Sequence, residues 1–459
     1  MKILIYSASG DAGGLAYLMQ REGAQVQIYI KDTFSRRVME HIVPHVQSME
    51  EGLKNRPDFI LFDLNGDGKI GDDLRKDGYK VIGGYDLMDK LEMDRAYGVQ
   101  VAKQYGLKVP KTVEFKNIDE AITYIKSNPK PLAIKVDNNK SESSSYVAKD
   151  QKDMLDYISY QKEEGLMVGD TFVLQEVIKG AEVSTECWFS NGIPCFPCNS
   201  TWETKKLLAG ELGVRTGCET SVVCHYEGYN SKLANKTILK ILPLLKYAKY
   251  TGAIDVNAIV SEKDKEPYFL EWTPRLGYSA IYAYSSILGI PLSEYFYKLS
   301  RGVFKIPFKN KWGTSLKLHI PPYPFSHEDD KVSRKAYEPT EGLRINGKID
   351  KNFIPIDVRK GKKTEFEAAG TMGIIGECLG SGNSILEAWK GSKKVFDSVE
   401  VPNKGGRYLD GIDDAWKRIQ KLKSMGYNDI PDVQGKNLKG GGGRSEPLND
   451  LNPSPLSKG

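Results

Sequence analysis

Short apolar runs that end in glycine alternate with helix-like segments over the first ninety or so residues. "KILIYSASG" runs into Gly10, "DAGGLAYLMQREG" reads as a loop entering a helix, and "AQVQIYI" is the next strand, so the chain opens as a β-α-β unit. "RPDFILFDL" and "YKVIGGYD" supply two more strands. This pattern predicts an open, doubly wound α/β domain over residues 1–92, with loops after Tyr6 and Leu61 at the strand ends where ligands usually bind. An amphipathic helix, "LEMDRAYGVQVAKQYG", ends at Gly106; a strand and a second helix, "IDEAITYIKSN", follow. From "PLAIKVD" to about Arg301 strands dominate, with one long helix expected near Asn230 to Tyr250. Residues 311–400 alternate strands such as "TSLKLHI" with glycine turns and close in the helical "SILEAWKGSKKVFDSV". The expected layout is a 1–92 domain, a 93–310 domain of two subdomains, a small α/β domain over 311–435, and a tail, 436–459. The tail has almost nothing to bury and is expected to be disordered.

Composition narrows the function classes. The chain has 459 residues, 40% apolar and 27% charged, with both signs mixed, which describes a globular protein of two to four domains. Its net charge of +5 gives no reason to expect nucleic acid or an anionic membrane as main partner. No run approaches the ~20 apolar residues of a membrane span, and "MKILIYSASG" reads as a strand and turn rather than a signal peptide, so a cytoplasmic protein is expected. The six cysteines are too few and too irregular for a disulfide framework, and the single "CFPC" pair, Cys195 and Cys198, lacks a second pair at zinc spacing. "DLNGDGKIGDDL", Asp63 to Leu74, imitates a calcium loop but ends in leucine where a bidentate glutamate is required. It reads instead as a binding loop of the first domain.

Three segments carry candidate chemistry. "LAIKVDNNKSESSSYV" sets Lys135 near the end of an apolar strand before a serine-rich loop; a lysine there can meet phosphate oxygens, with the loop as lid, or simply reach solvent. "TFVLQEVIKGAEVSTECWF" gives two strands about a bend at Gly180, with Gln175 and Glu182 on either side. Such a bend can offer backbone groups to an adenine edge and a carboxylate to ribose, or be a plain hairpin. "GAIDVNAIVSEKDKEPYFLEWTPRLG" is a hairpin with Asp255 and Asn257 on one strand and Glu271 on the other. Oxygen ligands on adjacent strands suit magnesium, which takes few protein ligands and keeps water and nucleotide phosphates. Arg275 lies just beyond, where it can stabilise a phosphate in transfer.

The order of lysine strand, Gln/Glu hinge and carboxylate hairpin resembles the ATP-grasp ligases, and within them the phosphoribosylamine-glycine ligase family, over about residues 1–400. "LEMDRAYGVQVAKQYGLKVP" is similar to that family's "LEGSKAF" helix, with Arg95 at a phosphate-binding lysine; "LAIKVD" to "IVIKAD"; "FVLQEVIKGAEVS" to "IVIEEFLxGEEAS". "YTGAIDVNAIV", "YFLEWTPRLG" and "AAGTMGIIGECLGSGNSILEAWKGSKKV" resemble "YTGxLYAGLM", "xIEFNxRFGDPE" and "AGTxxxxGRVLxVTALGxTxxEAxxxAY". The resemblance implies an ATP-grasp fold, α/β and α+β, with an N-terminal doubly wound domain and a small C-terminal domain. It implies ATP and magnesium (or manganese) as cofactors and small-molecule substrates, an amino-acid carboxylate and an amine, in a monomer or homodimer. It assigns Lys135 and Arg95 to ATP phosphates, Gln175 and the backbone of Glu176, Val177 and Ile178 to adenine, and Glu182 to ribose. Glu271 becomes the main metal ligand, and Arg275 and Lys205 the catalytic cations. The implied reaction is attack of a carboxylate on the γ-phosphate, then displacement of the acyl phosphate by an amine.

Departures cluster on one side. Thr273 replaces the Asn of E-x-N, so Asn257, fourteen residues before Glu271, is the expected substitute oxygen. "GxGGREHA" survives only as "SASGDAGGLAY", and the family's "GPEAPL" loop, which helps hold the phosphoribosyl group, has become the acidic "DLNGDGKIGDDL". "STWETKKLLAGELGVRTGCET" keeps Lys205, Lys206, Thr216 and Gly217 but loses the family's glycine-rich run. The nucleotide half is better kept than the acceptor half, which fits a relative of the synthetase acting on another amine, while the likeness reaching the C-terminal domain keeps the synthetase itself open. The rival readings are a non-catalytic ATP-binding relative and an ATP-grasp enzyme of another reaction type.

Overall fold

The computed structural model describes residues 1–136, 145–165, 171–226, 231–303, 306–325 and 331–434, and among these it forms four sheets. The first comprises β1 (Lys2–Ser7), β2 (Gln25–Ile30), β3 (Phe59–Phe62) and β4 (Val81–Ile82), parallel and in the order β2-β1-β3-β4. Its central strands are apolar on both faces because both are covered: Ile3, Ile5, Phe59 and Leu61 join the main core, and Leu4, Tyr6, Ile60 and Phe62 a second cluster. The helices of this region are α1 (Gly13–Arg21), α2 (Met49–Leu53), α3 (Gly68–Lys76), α4 (Asp86–Met93) and α5 (Arg95–Gln104).

A small antiparallel sheet follows, β5 (Thr112–Phe115), β6 (Leu132–Val136), β7 (Ser145–Val147) and β8 (Phe172–Glu176), in the order β5-β8-β6-β7. It has its own core, built from Phe115, Ile134, Met154, Ile158 and Leu174. The remaining strands are β9 (Gly180–Ser190), β10 (Ile193–Leu208), β11 (Leu212–His225), β12 (Gly252–Ser261), β13 (Pro267–Thr273), β14 (Trp312–His319), β15 (Arg344–Gly347), β16 (Phe353–Pro355), β17 (Val358–Lys360), β18 (Phe366–Ala368), β19 (Ile374–Gly382) and β20 (Val399–Glu400). Eight of them make one long sheet, β13-β12-β9-β10-β11-β14-β19-β16, and the rest a small sheet, β17-β18-β15-β20. Trp188, Trp202, Trp272 and Trp312 are fully buried in the main core, each hiding about 150–250 Å², so the long sheet is the rigid platform of the molecule.

Two expectations are corrected. The single helix expected near Asn230 to Tyr250 is three short pieces, Lys232–Lys236, a 3-10 turn Ile238–Ile241, and Leu242–Tyr247. Thr237 leaves helical geometry and Pro243, lacking an N–H, can only start a new helix. The helix expected from Leu91 to Gly106 breaks at Asp94, whose carboxylate accepts the Tyr97 N–H at 2.8 Å and so begins α5 afresh. The serine-rich lid and the tail lie outside the described residues.

Candidate functional site

β12 and β13 pair antiparallel with Asn257 opposite Glu271 and Asp255 opposite Thr273. The two-residue side-chain period puts all four on one face, and all four line a cavity of about 450 Å³. A bulge between Asn257 and Ala258 ends the regular register at that point.

Glu271 is the electrostatic centre. One oxygen lies 3.3 Å from the Arg95 guanidinium, and the other accepts the Asn257 amide N–H at 3.3 Å. Burial alone would raise its pKa, but Lys205, Lys135 and Arg95 outweigh that and hold it down at about 2. Arg95 reaches it because the Asp94 cap makes it the first residue of α5. Lys135, on β6, donates to the Leu270 carbonyl at 3.2 Å; burial lowers its ammonium to about 8, with Glu271 pulling the other way. Lys205, on β10, lies 3.6 Å from the Glu203 carboxylate, and Glu203, Glu182 and Glu271 together overcome burial and raise its pKa. Arg275 is held by Glu92, at 3.0 Å from Nε and 2.8 Å from Nη2, and Glu92 also accepts Asn65 Nδ2 at 2.6 Å. That chain of contacts joins the loop after β3 to the end of β13.

Arg95, Lys135, Gln175 and Glu271 line a narrow cleft of about 20 Å³ between the small sheet and the long one. Lys205, Asn257, Glu271, Thr273 and Arg275 line the larger cavity, and Glu271 borders both. Gln175 is buried and donates to Thr112 Oγ1 at 3.1 Å. Glu176 pairs with Lys130 at 2.8 Å, and the Glu176 and Val177 N–H groups donate to the Lys111 and Pro131 carbonyls. Val177 and Ile178 lie where the chain passes from β8 to β9. The plain-hairpin alternative fails here: β8 pairs with β5 and β6 in the small sheet, and β9 with β10 and β12 in the long one. Glu182, on β9, acts through its charge on both Lys135 and Lys205.

Asp255, already named on the carboxylate hairpin, and several cavity residues without an assignment from the sequence complete the wall. Asp255 Oδ1 is buried with no hydrogen-bond partner among the described residues. Lys317, on β14, is buried, donates to the Tyr323 hydroxyl at 3.2 Å and lies over the Tyr278 ring. Tyr323 in turn donates to Glu219 at 2.7 Å, and His319 lies 3.3 Å from the other Glu219 oxygen. The available signal was a lone lysine inside the apolar strand "TSLKLHI".

The donor set fits a hard divalent cation. Glu271, Thr273 and the unpartnered Asp255 oxygen are oxygen donors on one face, and magnesium needs few of them. Asn257 Oδ1 accepts the Ser184 hydroxyl at 2.5 Å, so in this orientation its amide steadies Glu271; turning the amide over would present its oxygen. Among the described residues no three His, Cys, Asp or Glu side chains gather as a metal cluster. The calcium-like loop makes internal contacts, Asp63 with Ser7, Asp67 with Lys31 and Asn65 with Glu92, and Cys195 and Cys198 are free, buried thiols.

Two antiparallel sheets clasping a cleft, with lysines from each sheet facing a carboxylate hairpin, form the ATP-grasp fold. Solved structures agree on that fold. The phosphoribosylamine–glycine ligase of Thermotoga maritima covers 89% of this chain and 99% of its own, at TM-score 0.67 and 19% identity. The biotin carboxylase of Campylobacter jejuni, in complex with β-γ-ATP, covers 94% and 96%, at TM-score 0.58 and 15% identity. Within that class the chain resembles phosphoribosylamine–glycine ligase. Residues 93–279 match the family described as phosphoribosylglycinamide synthetase, ATP-grasp (A) domain. The phosphoribosylamine–glycine ligase of Clostridium acetobutylicum is 23% identical over 303 residues, 60% of this chain and 70% of that protein. The one from Caldanaerobacter subterraneus is 21% identical over 443 residues, 93% of this chain and 97% of that protein.

Proposed function

We propose that the protein is a Mg-ATP-dependent carboxylate–amine ligase that works through an acyl phosphate, as a relative of the synthetase with a changed substrate. The observation that carries this reading is the convergence of Arg95, Lys135 and Lys205 on Glu271 at the seam between the two sheets. Three fixed cations beside one carboxylate suit a triphosphate whose charge must be held while one phosphoryl group moves. A cleft of about 20 Å³ has no room for a nucleotide, so entry of ATP parts the small sheet from β13 and frees Lys135 from the Leu270 carbonyl.

In this reading Lys135 and Arg95 hold the phosphates. Gln175 and the 176–178 backbone meet adenine, and Glu182 takes the ribose. Glu271, with Asp255, Thr273 and Asn257 around it, would hold magnesium, which supplies charge neutralisation on the phosphates when bound. A substrate carboxylate in the larger cavity, beside Lys205 and Arg275, attacks the γ-phosphorus, and the bond to the β-phosphate oxygen breaks to give ADP. An amine then adds to the acyl carbon, loses a proton, and inorganic phosphate leaves. Glu92 keeps the Arg275 fork aimed, its Oε1 accepting from both Nε and Nη2 and its Oε2 from Nε.

Incubation with Mg-ATP, a panel of amino acids, and phosphoribosylamine generated in place, with ADP and phosphate followed, tests the reading. ADP release that depends on one carboxylate is expected. Nucleotide binding without ADP release in any combination favours the non-catalytic alternative.

A further inference from the structure

The face of the long sheet that carries Lys205 also carries a second lysine. Glu203 on β10 pairs with Ser221 on β11, Ser221 with Ser315 on β14, and Lys317, two residues on, with Glu377 on β19. The two-residue period sets Glu203, Ser315, Lys317 and Glu377 on one face, and Lys205 and Lys317 both line the large cavity. β14 is two strands from β10, so the two run about 10 Å apart beneath that cavity.

Lys317 is only 2% exposed, yet its ammonium is sparsely bonded. One N–H goes to the Tyr323 hydroxyl at 3.2 Å, and the other two have no acceptor among the described residues. Glu219 and Glu377 favour its charged form without touching it, because hydroxyls already occupy them. Glu219 accepts from Tyr323 at 2.7 Å, and Glu377 from Ser279 at 2.6 Å and from Ser315. Two open donors on a buried cation are costly unless an anion in the cavity meets them. The Tyr278 ring, 5.0 Å from this ammonium, lines the same cavity with Met372 and Ile374, so the anion should belong to a molecule with an apolar portion.

Two arguments name that molecule. One lysine beside two glutamates suits a single added negative charge, whereas a phosphate brings nearly two and would be repelled. The spacing is the second argument. An α-amino acid joined through its nitrogen to an acyl carbon has its own carboxylate carbon about 4 Å away; a C–O bond and an N–H···O contact of about 2.8 Å at each end extend this to roughly 10 Å, the separation of β10 and β14.

We infer that the acceptor of this ligase is an α-amino acid whose own carboxylate is held by the Lys317 ammonium, with Tyr323 and Glu219 positioning that lysine. This rests on the ligase reading proposed above and names its second substrate. The acceptor nitrogen bonds to the acyl carbon, the bond from that carbon to the phosphate oxygen breaks, and the proton lost by nitrogen goes with the departing phosphate. The carboxylate at Lys317 is unchanged in the amide product.

The full-length protein is tested in two stages. Hydroxylamine traps an acyl phosphate as a hydroxamate with no amino-acid acceptor present, so a panel of carboxylates with Mg-ATP identifies the donor. No hydroxamate with any of them overturns the ligase reading, and the inference with it. With the donor fixed, ADP release and amide product are measured with amino acids, with the corresponding amino-acid amides, and with phosphoribosylamine generated in place. The inference expects an amino acid to be the best acceptor and its amide to show kcat/KM at least about tenfold lower. Lys317→Met should cut that preference to less than about twofold, and Lys317→Arg should retain it. An amide used as well as its acid, phosphoribosylamine outrunning every amino acid, or an unaltered preference in Lys317→Met overturns the inference. The acid-to-amide comparison needs no variant, so it decides the point if Lys317→Met does not fold. A donor that must carry two carboxylates, with acid and amide acceptors used alike, assigns Lys317 to the donor and also overturns it.

Discussion

Glu271 shows how far one residue can be read before folding. A glutamate closing the apolar run "YFLE" needs a partner or a cation, and the structure gives it Arg95, Asn257, and the charges of Lys135 and Lys205. Glu271→Gln keeps the shape and removes the charge; a fall in kcat of about 10²-fold or more is expected with the fold intact by circular dichroism. Normal Mg-dependent turnover in that variant would sink the metal assignment. Lys135 makes a second prediction. Its ammonium titrates near 8 in the free protein because burial lowers it, so it is charged below that pH and neutral above. kcat/KM for ATP should therefore fall as pH rises through about 8, and Lys135→Arg should remove that limb from the profile. Lys317 shows the opposite case. The hairpin marks Asp255 as a candidate oxygen, but nothing in "TSLKL" distinguishes Lys317 from a strand-end charge; the register with Thr273 and the aromatic contacts of Lys317 place both at the cavity.

At the scale of elements, the sequence marks where strands and helices lie better than where they part. The alternation in "GAIDVNAIV" and "YFLEWT" is enough to specify the β12–β13 hairpin. The same kind of pattern about Gly180 is silent on whether β8 and β9 pair, and they belong to different sheets. Gly180 is where this choice is enforced: a Cβ there would lie 2.1 Å from the Val260 carbonyl oxygen and 2.6 Å from Ile259. Gly180→Ala should force β9 off β12 and cost about 1–3 kcal/mol, read as a lower urea midpoint with unchanged slope. Asp94 acts similarly on the helices, because its cap separates α4 from α5 and turns Arg95 toward Glu271.

The whole molecule is organised by the eight-stranded sheet. It crosses position 310 without a break, since β14 pairs with β11 on one side and β19 on the other, and Trp312, Leu316 and Leu318 are buried there. A chain ending at residue 310 should thus expose the β11 edge and the apolar face that β14 covers; loss of soluble, cooperatively unfolding protein is expected on expression. The small sheet has a separate core, so in the proposed ligase it is the part expected to move when ATP enters the cleft. Amide exchange with and without a Mg-ATP analogue should show its largest change in β6 and β8, with β10 and β12 little affected.

The sequence by itself determined the doubly wound start, the carboxylate hairpin, and the order of cation, hinge and carboxylate, because these depend on local periodicity and on the cost of burying charge. Tertiary structure alone decided which strands share a sheet, and with them the partners of each charged group. It decided, too, that Asp63 and Asp89 turn inward to accept backbone N–H groups. A carboxylate just past a strand end reads the same whether it awaits a cation or satisfies backbone N–H groups more than fifty residues away, as Asp63 does for Ala8 and Ala12.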